Sequence, residues 1–337
     1  MKYNSKIVVI FCLIILISHA LAIPNQAYGF FEPLWQAGET PSTNITLVTY
    51  GKYEGLLAKD IKGIVQDDKG YLYLGTNEGI WKYNGSQFYQ LLSERNGLSS
   101  NSVFGLILDS QGNMWASTNK GLNKISNGEV VAVFSPDATI WTKAIEDTAG
   151  NIWFVDLAGG LLNKVQNDEL VVTYSAEDID ALNGIFKLFP NSEGGIWVGT
   201  SDGLLKFNDD HVEQHITADD GLRSNRVHEI FADQDNSVWV SDIDGGLSEI
   251  SDGTSQVEPI AGYLETALVD TDNTFWLGSS SGLVRYRDGE EPVIYTIADG
   301  LADNYVLNIF EDRDGNIWIG TANGVSKITK KTSCRGI

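Results

Sequence analysis

Cysteine is scarce in this sequence, at 2 of 337 residues, and proline is scarce too, at 7. Positive charge is the next shortage. Against 45 Asp and Glu stand only 23 Lys and Arg, a formal net charge of −22. Phosphate binding needs clustered Lys and Arg, so this balance argues against nucleic acid or an anionic membrane as partner. Long apolar runs are missing with one exception. Residues 7–17 are eleven consecutive apolar side chains, short of the roughly 20 that span a bilayer.

That run belongs to an N-terminal signal. Lys2 and Lys6 come first, and Ala20-Leu21-Ala22 follows as a small-residue cleavage site. The layout predicts a secretory signal peptide over residues 1–22 and a periplasmic or secreted product. An uncleaved N-terminal membrane anchor is the alternative. Phe11 precedes Cys12 where a lipoprotein signal wants a small residue, so no lipid anchor is expected. Cleavage after Ala22 removes two lysines and no acid, leaving 21 basic against 45 acidic residues, or −24. It also leaves Cys334 alone, and one cysteine makes no internal disulfide.

Glycine and the aromatics are abundant. The 35 Gly and 10% aromatic content lean towards β structure with tight turns. Self-comparison shows why. Gly315-Asn316-Ile317-Trp318-Ile319-Gly320-Thr321 is echoed by Gly195-Ile196-Trp197-Val198-Gly199-Thr200 and by Gly70-Tyr71-Leu72-Tyr73-Leu74-Gly75-Thr76. The anchors are Tyr73, Trp115, Trp153, Trp197, Trp239, Trp276 and Trp318, at spacings of 42, 38, 44, 42, 37 and 42. Each unit reads as an apolar segment, an Asp with a Gly/Asn turn, the anchor segment, a second Gly turn, and two more short runs. Four β-runs per unit fit one propeller blade. A helical repeat does not fit segments this short, with period two and Gly in every unit.

The expected architecture is therefore all-β: a single seven-bladed β-propeller of four-stranded blades over residues 44–328. Residues 23–43 form a linker and residues 329–337 a short tail. The seventh unit stops after three strands. Residues 44–50, followed by Tyr53-Glu54-Gly55-Leu56, resemble the fourth strand and Gly-Leu exit of residues 292–301. An N-terminal strand is therefore expected to complete the last blade and remove the ring's open edge. The anchor Trp is expected between blades, with its indole N–H as a polar handle. The turn residues Asp67, Asp109, Asp147, Asp233, Asp270 and Asp312 are expected to accept backbone N–H groups, with Asn191 in the fourth slot. A calcium loop at Asp312 fails, because the fifth-position Asp/Asn and the twelfth-position Glu are absent.

The pattern Gly-Leu-x-x-Asn-x-Val, an apolar pair, Asp, Gly-Asn, Ile-Trp-Ile-Gly-Thr and Gly-Leu/Val resembles the two-component regulator propeller repeat. The best copies are residues 300–328, 221–250 and 97–125. The resemblance implies a periplasmic sensor propeller of the kind found in membrane histidine kinases, hybrid two-component proteins and diguanylate cyclases, many of which respond to saccharides. It implies no catalytic motif and no cofactor. Such proteins usually continue into an immunoglobulin-like domain, a transmembrane helix and an output module. This sequence ends nine residues after the repeats, so the expectation is a stand-alone or truncated sensor without kinase activity. His228-Glu229-Ile230 superficially suggests a phosphoacceptor box but reads as a β-strand.

Ligands of propellers usually sit at one mouth of the central channel, on loops entering the innermost strand. Here those positions, ten to thirteen residues before each anchor, hold Lys62, Lys143, Lys187, Arg226, His228, Glu229, Tyr263, Glu265, Tyr305 and Asn308, with Trp141 and Arg223 nearby. Such a ring suits a polar small molecule, an oligosaccharide or a peptide. The bland reading is solvated strand ends and water-filled channel. Asp156 and Asp242 replace the Thr or Ser three residues after the anchor, and both precede a Gly-Gly pair. An alternative turn type is favoured over a carboxylate pair. His211, Glu213 and His215 would share one face of a strand, but in a variable outer segment, so no metal is assigned. The expected function is a non-enzymatic ligand-binding sensor, with a membrane signalling partner in view. The alternatives are a propeller lyase or hydrolase using Glu229, Glu265 and His228, and an envelope interaction scaffold.

Overall fold

Each repeat folds because two of its turns are wired by their own side chains. The computed structural model describes residues 45–330, apart from 136–137, 141, 157–159, 183, 209–210, 251–253, 258–262 and 288–289. The leader and linker expected from sequence, and residues 331–337 of the expected tail, lie outside the described residues. The described chain forms 28 strands and five single-turn 3-10 helices. The strands make seven four-stranded antiparallel sheets, six of them simple meanders in chain order. This is the seven-bladed propeller expected from the repeat.

The first turn of each blade is organised by its Asp. In the seventh blade, Asp312 Oδ1 accepts the N–H of Asp314 at 3.0 Å and of Asn316 at 2.9 Å. Its other oxygen accepts the indole N–H of Trp318 at 2.7 Å. The same bond joins Asp109 to Trp115, Asp147 to Trp153, Asp233 to Trp239 and Asp270 to Trp276, at 2.7–2.9 Å. Tyr73 donates its hydroxyl to Asp67 at 2.8 Å in the same way. Sequence reading gave the Asp its turn and the Trp its polar handle; the structure joins the two in one bond.

The fourth blade departs from this pattern. Asn191 donates its amide to the Gly194 carbonyl at 2.7 Å. The buried indole nitrogen of Trp197 is left without a partner. An amide has one acceptor oxygen where a carboxylate has two, so Asn cannot serve both the turn and the indole.

The second turn is closed by the Thr of the Gly-Thr pair. Thr321 donates Oγ1–H to the Gly324 carbonyl at 2.8 Å and accepts the N–H of Asn323. Thr76, Thr118, Thr200 and Ser279 do the same. The preceding Gly allows close packing. A Cβ on Gly320 would lie 2.4 Å from the Ile61 carbonyl oxygen, so only Gly lets the next blade approach.

The anchors bury their rings between blades. Trp276 packs with Val306, Ile309 and Ile317 of the next blade, and Trp318 with Ile61, Ile64 and Leu74. The core is thus a set of clusters at the seams, one per blade pair, rather than one central mass.

Closure follows the expected route. Strand Ile45–Tyr50 pairs antiparallel with Gly324–Lys330, so the seventh sheet combines the first strand with the last three. The last strand runs to Lys330, two residues past the expected boundary at 328. Tyr50 stacks on Trp318 at 5.4 Å and meets Tyr83 edge-on at 5.7 Å, joining the last blade to the first. The Gly-Leu exit also recurs: Gly55, Gly97, Gly221 and Gly300 take φ of +88 to +112°, and Leu56, Leu98, Leu222 and Leu301 behind them are buried.

Two predictions come from this wiring. Deleting residues 45–50 exposes the edge of strand Gly324–Lys330 and strips Tyr50 from the seam, and should lower the melting temperature by well over 10 °C in a thermal scan. Asn191→Asp should raise stability by about 1 kcal/mol by giving the Trp197 indole an acceptor, while Asp312→Asn should cost about 1–3 kcal/mol, both read from denaturant midpoints.

Candidate functional site at the channel mouth

The innermost strands run from the channel mouth towards the Asp turns, so their first residues face the mouth. In four blades the ladder shifts at the start of this strand: between 103 and 105, 227 and 229, 264 and 266, and 306 and 308. The residues at these bulges are Phe104, His228, Glu265 and Leu307. Each lies eleven residues before its anchor, as do Lys62, Thr142 and Phe186 in the other blades. Bulges re-aim a side chain, and here they do so around one opening.

Blades three to five bring together one group of expected residues. Lys187 Nζ is 2.7 Å from Glu229 Oε2, and Glu229 is only 3% exposed. Burial pushes the Glu229 carboxyl up, and the Lys187 ammonium opposes it. Lys143 lies within electrostatic reach of both. Its side chain touches solvent, yet the protein around it drives its pKa down to about 8.

His228 is held at both ring nitrogens. Nδ1 is 3.0 Å from the Leu264 carbonyl oxygen, and Nε2 meets the Tyr263 hydroxyl. A carbonyl only accepts, so Nδ1 carries the proton and Tyr263 donates to Nε2. The ring also packs on Phe186 at 5.7 Å and Tyr263 at 4.3 Å. Burial, then the Lys187 charge, push the imidazole down to about 4; the Leu264 carbonyl opposes this and Arg226 adds to it.

The other half of the mouth carries the acid. Tyr305 donates its hydroxyl to Glu265 at 2.7 Å. Lys62 places Nζ 4.4 Å above the Phe104 ring; burial lowers its pKa, against the Asp60 and Glu265 carboxylates. Burial raises both Tyr263 and Tyr305, with Glu265 the next cause in each. Asn308 opens the seventh blade's strand with its buried Oδ1 unpartnered.

Two expected residues stand apart from these groups. Trp141 lies outside the described residues. Arg223 pairs through Nε with Asp242 at 3.3 Å and passes over Gly246, where a Cβ would lie 2.1 Å from its Cδ. Asp242 Oδ1 accepts the N–H of Asp244 at 2.8 Å and of Gly246 at 2.9 Å. Asp242 therefore builds a turn, as the simpler reading held. Asp156 accepts the N–H of Thr139 at 3.2 Å. On the outer strand His211–Ile216, His215 contacts the Asp202 carbonyl at 2.7 Å and Glu213 lies 3.5 Å from Lys206.

Sequence reading missed Phe104 and Phe186. Both stand eleven residues before an anchor, in the same column as His228, and a search for polar groups alone passed over them. It also missed where many cations go. Lys124, Lys164, Lys206 and Lys327 sit 5.0–6.0 Å over Trp115, Trp153, Trp197 and Trp318, and Lys82 sits over Tyr73. These are cross-strand cation–π partners and play no part at the mouth.

The family described as two component regulator propeller matches residues 97–120 and 300–323. Among solved structures, the chain is similar to the extracellular domain of a hybrid two component system from B. thetaiotaomicron, at TM-score 0.70 and 19% identity, over 84% of this chain and 41% of that one. It is similar to virginiamycin B lyase from Staphylococcus aureus at TM-score 0.67 and 14% identity, over 85% of this chain and 98% of that one. It is also similar to PorZ, a surface component of the type-IX secretion system of Porphyromonas gingivalis, at TM-score 0.61 and 18% identity, over 81% of this chain and 46% of that one. This chain thus spans about two fifths of the B. thetaiotaomicron chain. At these identities the likeness is one of fold. No curated protein matches the sequence.

The His228 environment predicts a pH dependence. Its pKa is about 4 in the fold against an ordinary 6.5. Between those values the unfolded chain binds the proton and the folded one does not, so stability falls as pH falls through that window. His228→Gln should flatten the dependence by up to about one proton, read from denaturant midpoints across that range. Parallel curves for the two proteins would contradict the assigned environment.

Proposed function

We propose that this chain is the ligand-sensing propeller of a two-component type system, located outside the cytoplasm, with its ligand at the channel mouth. The observation that carries the reading is the mouth itself. Lys62, Lys143, Lys187, His228, Glu229, Tyr263, Glu265 and Tyr305 converge there in a chain of net charge −22, where cations are few. The match of two repeats to the regulator propeller family supports the sensing role, as does the likeness to an extracellular sensor domain. No helix among the described residues is long and apolar enough to cross a membrane. A polar ligand such as an oligosaccharide, a peptide or a small acid suits the mixed donors and acceptors. The signal would pass to a membrane partner or to an output module.

A second reading, a propeller lyase, draws on the likeness to virginiamycin B lyase and on the imidazole in the mouth. The geometry favours it less. His228 donates Nδ1–H to the Leu264 carbonyl and accepts a hydrogen bond from Tyr263 at Nε2, so neither nitrogen is open to a substrate, and Glu229 is tied to Lys187.

The test is a thermal-shift screen of the whole protein against saccharides, peptides and small acids. A ligand at 100 times its Kd should stabilise by about 2.7 kcal/mol, and Lys187→Met combined with Tyr305→Phe should abolish the shift. Hits that survive the double variant would place binding elsewhere. Chemical turnover of a hit that is lost in His228→Ala would favour the lyase.

A further inference from the structure

The Asp-turn end of the ring, opposite the mouth, is stitched from blade to blade. The residue after one turn Asp bonds to the residue before the next. Ser110 donates its N–H and its hydroxyl to Glu146, each at 2.7 Å. Thr271 does the same to Glu311, at 2.9 and 2.8 Å. The Arg313 N–H reaches Gln66 at 3.0 Å, across the seam that closes the ring. Blade four breaks the series on both sides. Pro190 and Ala232 hold the accepting positions there, and neither side chain has an acceptor. Thr148 holds the position of Thr271, with a proline where Glu311 would be.

A cavity of 310 Å³ opens at this point, where blades three, four and five meet. Phe189, Pro190, Trp197, Ala232 and Val238 line it, and Phe189 and Val238 are only partly covered by the core they pack on. The corresponding cavity on blade seven, of 260 Å³, is lined by Gln66, Thr271, Glu311 and Arg313 instead. One position of the repeat is thus polar and cross-linked in blade seven and apolar in blade four.

The apolar version also carries an unmatched charge. Glu146 lines it, partly exposed, and no cation pairs with that carboxylate among the described residues. No Lys, Arg or His is among the lining residues. Its counterpart Glu311 has the Lys330 ammonium at 3.9 Å.

Apolar surface left open to water and a carboxylate without a counter-ion are satisfied by one kind of guest. The volume falls at the lower end of ligand pockets, about 300–1,000 Å³. A cavity of about 150 Å³ already takes benzene, so this one has room for a ring and a short chain. An ammonium on that chain is drawn to Glu146 while the ring covers Phe189, Trp197 and Val238; a carboxylate in its place is repelled. We infer that the blade-four seam is a second binding site, on the face away from the mouth, for a small molecule that joins an aromatic or branched apolar group to an ammonium. No mouth residue takes part, so the inference stands apart from the channel-mouth reading.

Trp197 supplies the reporter. Its indole nitrogen is shut off from solvent and is not a contact for the guest. Its ring lines the cavity, so an aromatic guest must move its N–H signal through the ring current.

The experiment is an NMR titration of the whole protein with 2-phenylethylammonium and with phenylacetate, which share a ring and differ in the sign of their charge. The Trp197 indole signal is assigned by its loss in Trp197→Phe. 2-Phenylethylammonium should shift it saturably, with a Kd about tenfold or more below that of phenylacetate. Glu146→Gln should remove most of that preference. Ala232→Gln puts into the cavity the side chain that blade one carries at this position, and should abolish the shift while the other indole signals stay in place. No saturable shift with 2-phenylethylammonium overturns the inference. Equal affinity for the two probes, or a preference that survives Glu146→Gln, overturns the ammonium and with it the proposal. A shift that survives Ala232→Gln places the guest elsewhere and overturns the site.

Discussion

The bond between the turn Asp and the anchor indole is the constraint on which the ring depends. It links the first turn of a blade to the second strand and fixes how the indole enters the seam. The seam is where the apolar core lies, so the same bond sets the spacing of neighbouring blades. A carboxylate is needed because it must accept from two backbone N–H groups and from the indole at once. Six of the 45 acidic residues are therefore structural. The turn aspartates are consumed by hydrogen bonds and do not form an anionic surface for some partner.

The cations divide along the same line. A lysine on the third strand lies over the anchor ring in five blades, so a basic residue is built into the repeat beside the acidic one. Lys62, Lys143, Lys187 and Arg226 stand at the opposite end, where the innermost strands begin. Bulges re-aim side chains there, and burial shifts the ionisation of Lys62, His228, Glu229, Tyr263 and Tyr305. The repeat therefore spends one end of the blade on construction and leaves the other end free to vary. Sensing fits this division, since ligand specificity can change without touching the Asp–Trp bond.

The fold was legible because its signals are local and recur. The Trp period, the Gly-Thr turn and the Gly-Leu exit each report one backbone requirement, and seven copies reinforce one another. The closing strand was legible for the same reason, since Glu54-Gly55-Leu56 copies an exit used elsewhere. The pairing of Asp with Trp was harder to see, because the two lie on opposite sides of a turn and each has a sufficient role alone. Asn191 was visible as an odd residue, but its consequence for Trp197 needed geometry. At the mouth, reading the column for polar groups passed over its aromatic members, Phe104 and Phe186. Arg223 was legible as a nearby cation, yet its true partner, Asp242, came from a turn whose shape the sequence does not reveal.

The most direct test of the account is hydrogen exchange at the tryptophan indoles, followed by NMR. The Asp-bound indoles of Trp115, Trp153, Trp276 and Trp318 should exchange slowly, at rates set by opening of the ring. Trp197, equally buried but facing Asn191, should exchange faster and lack the downfield shift of a charge-assisted bond. A Trp197 indole as protected and as shifted as the others would contradict the claim that the carboxylate makes the difference.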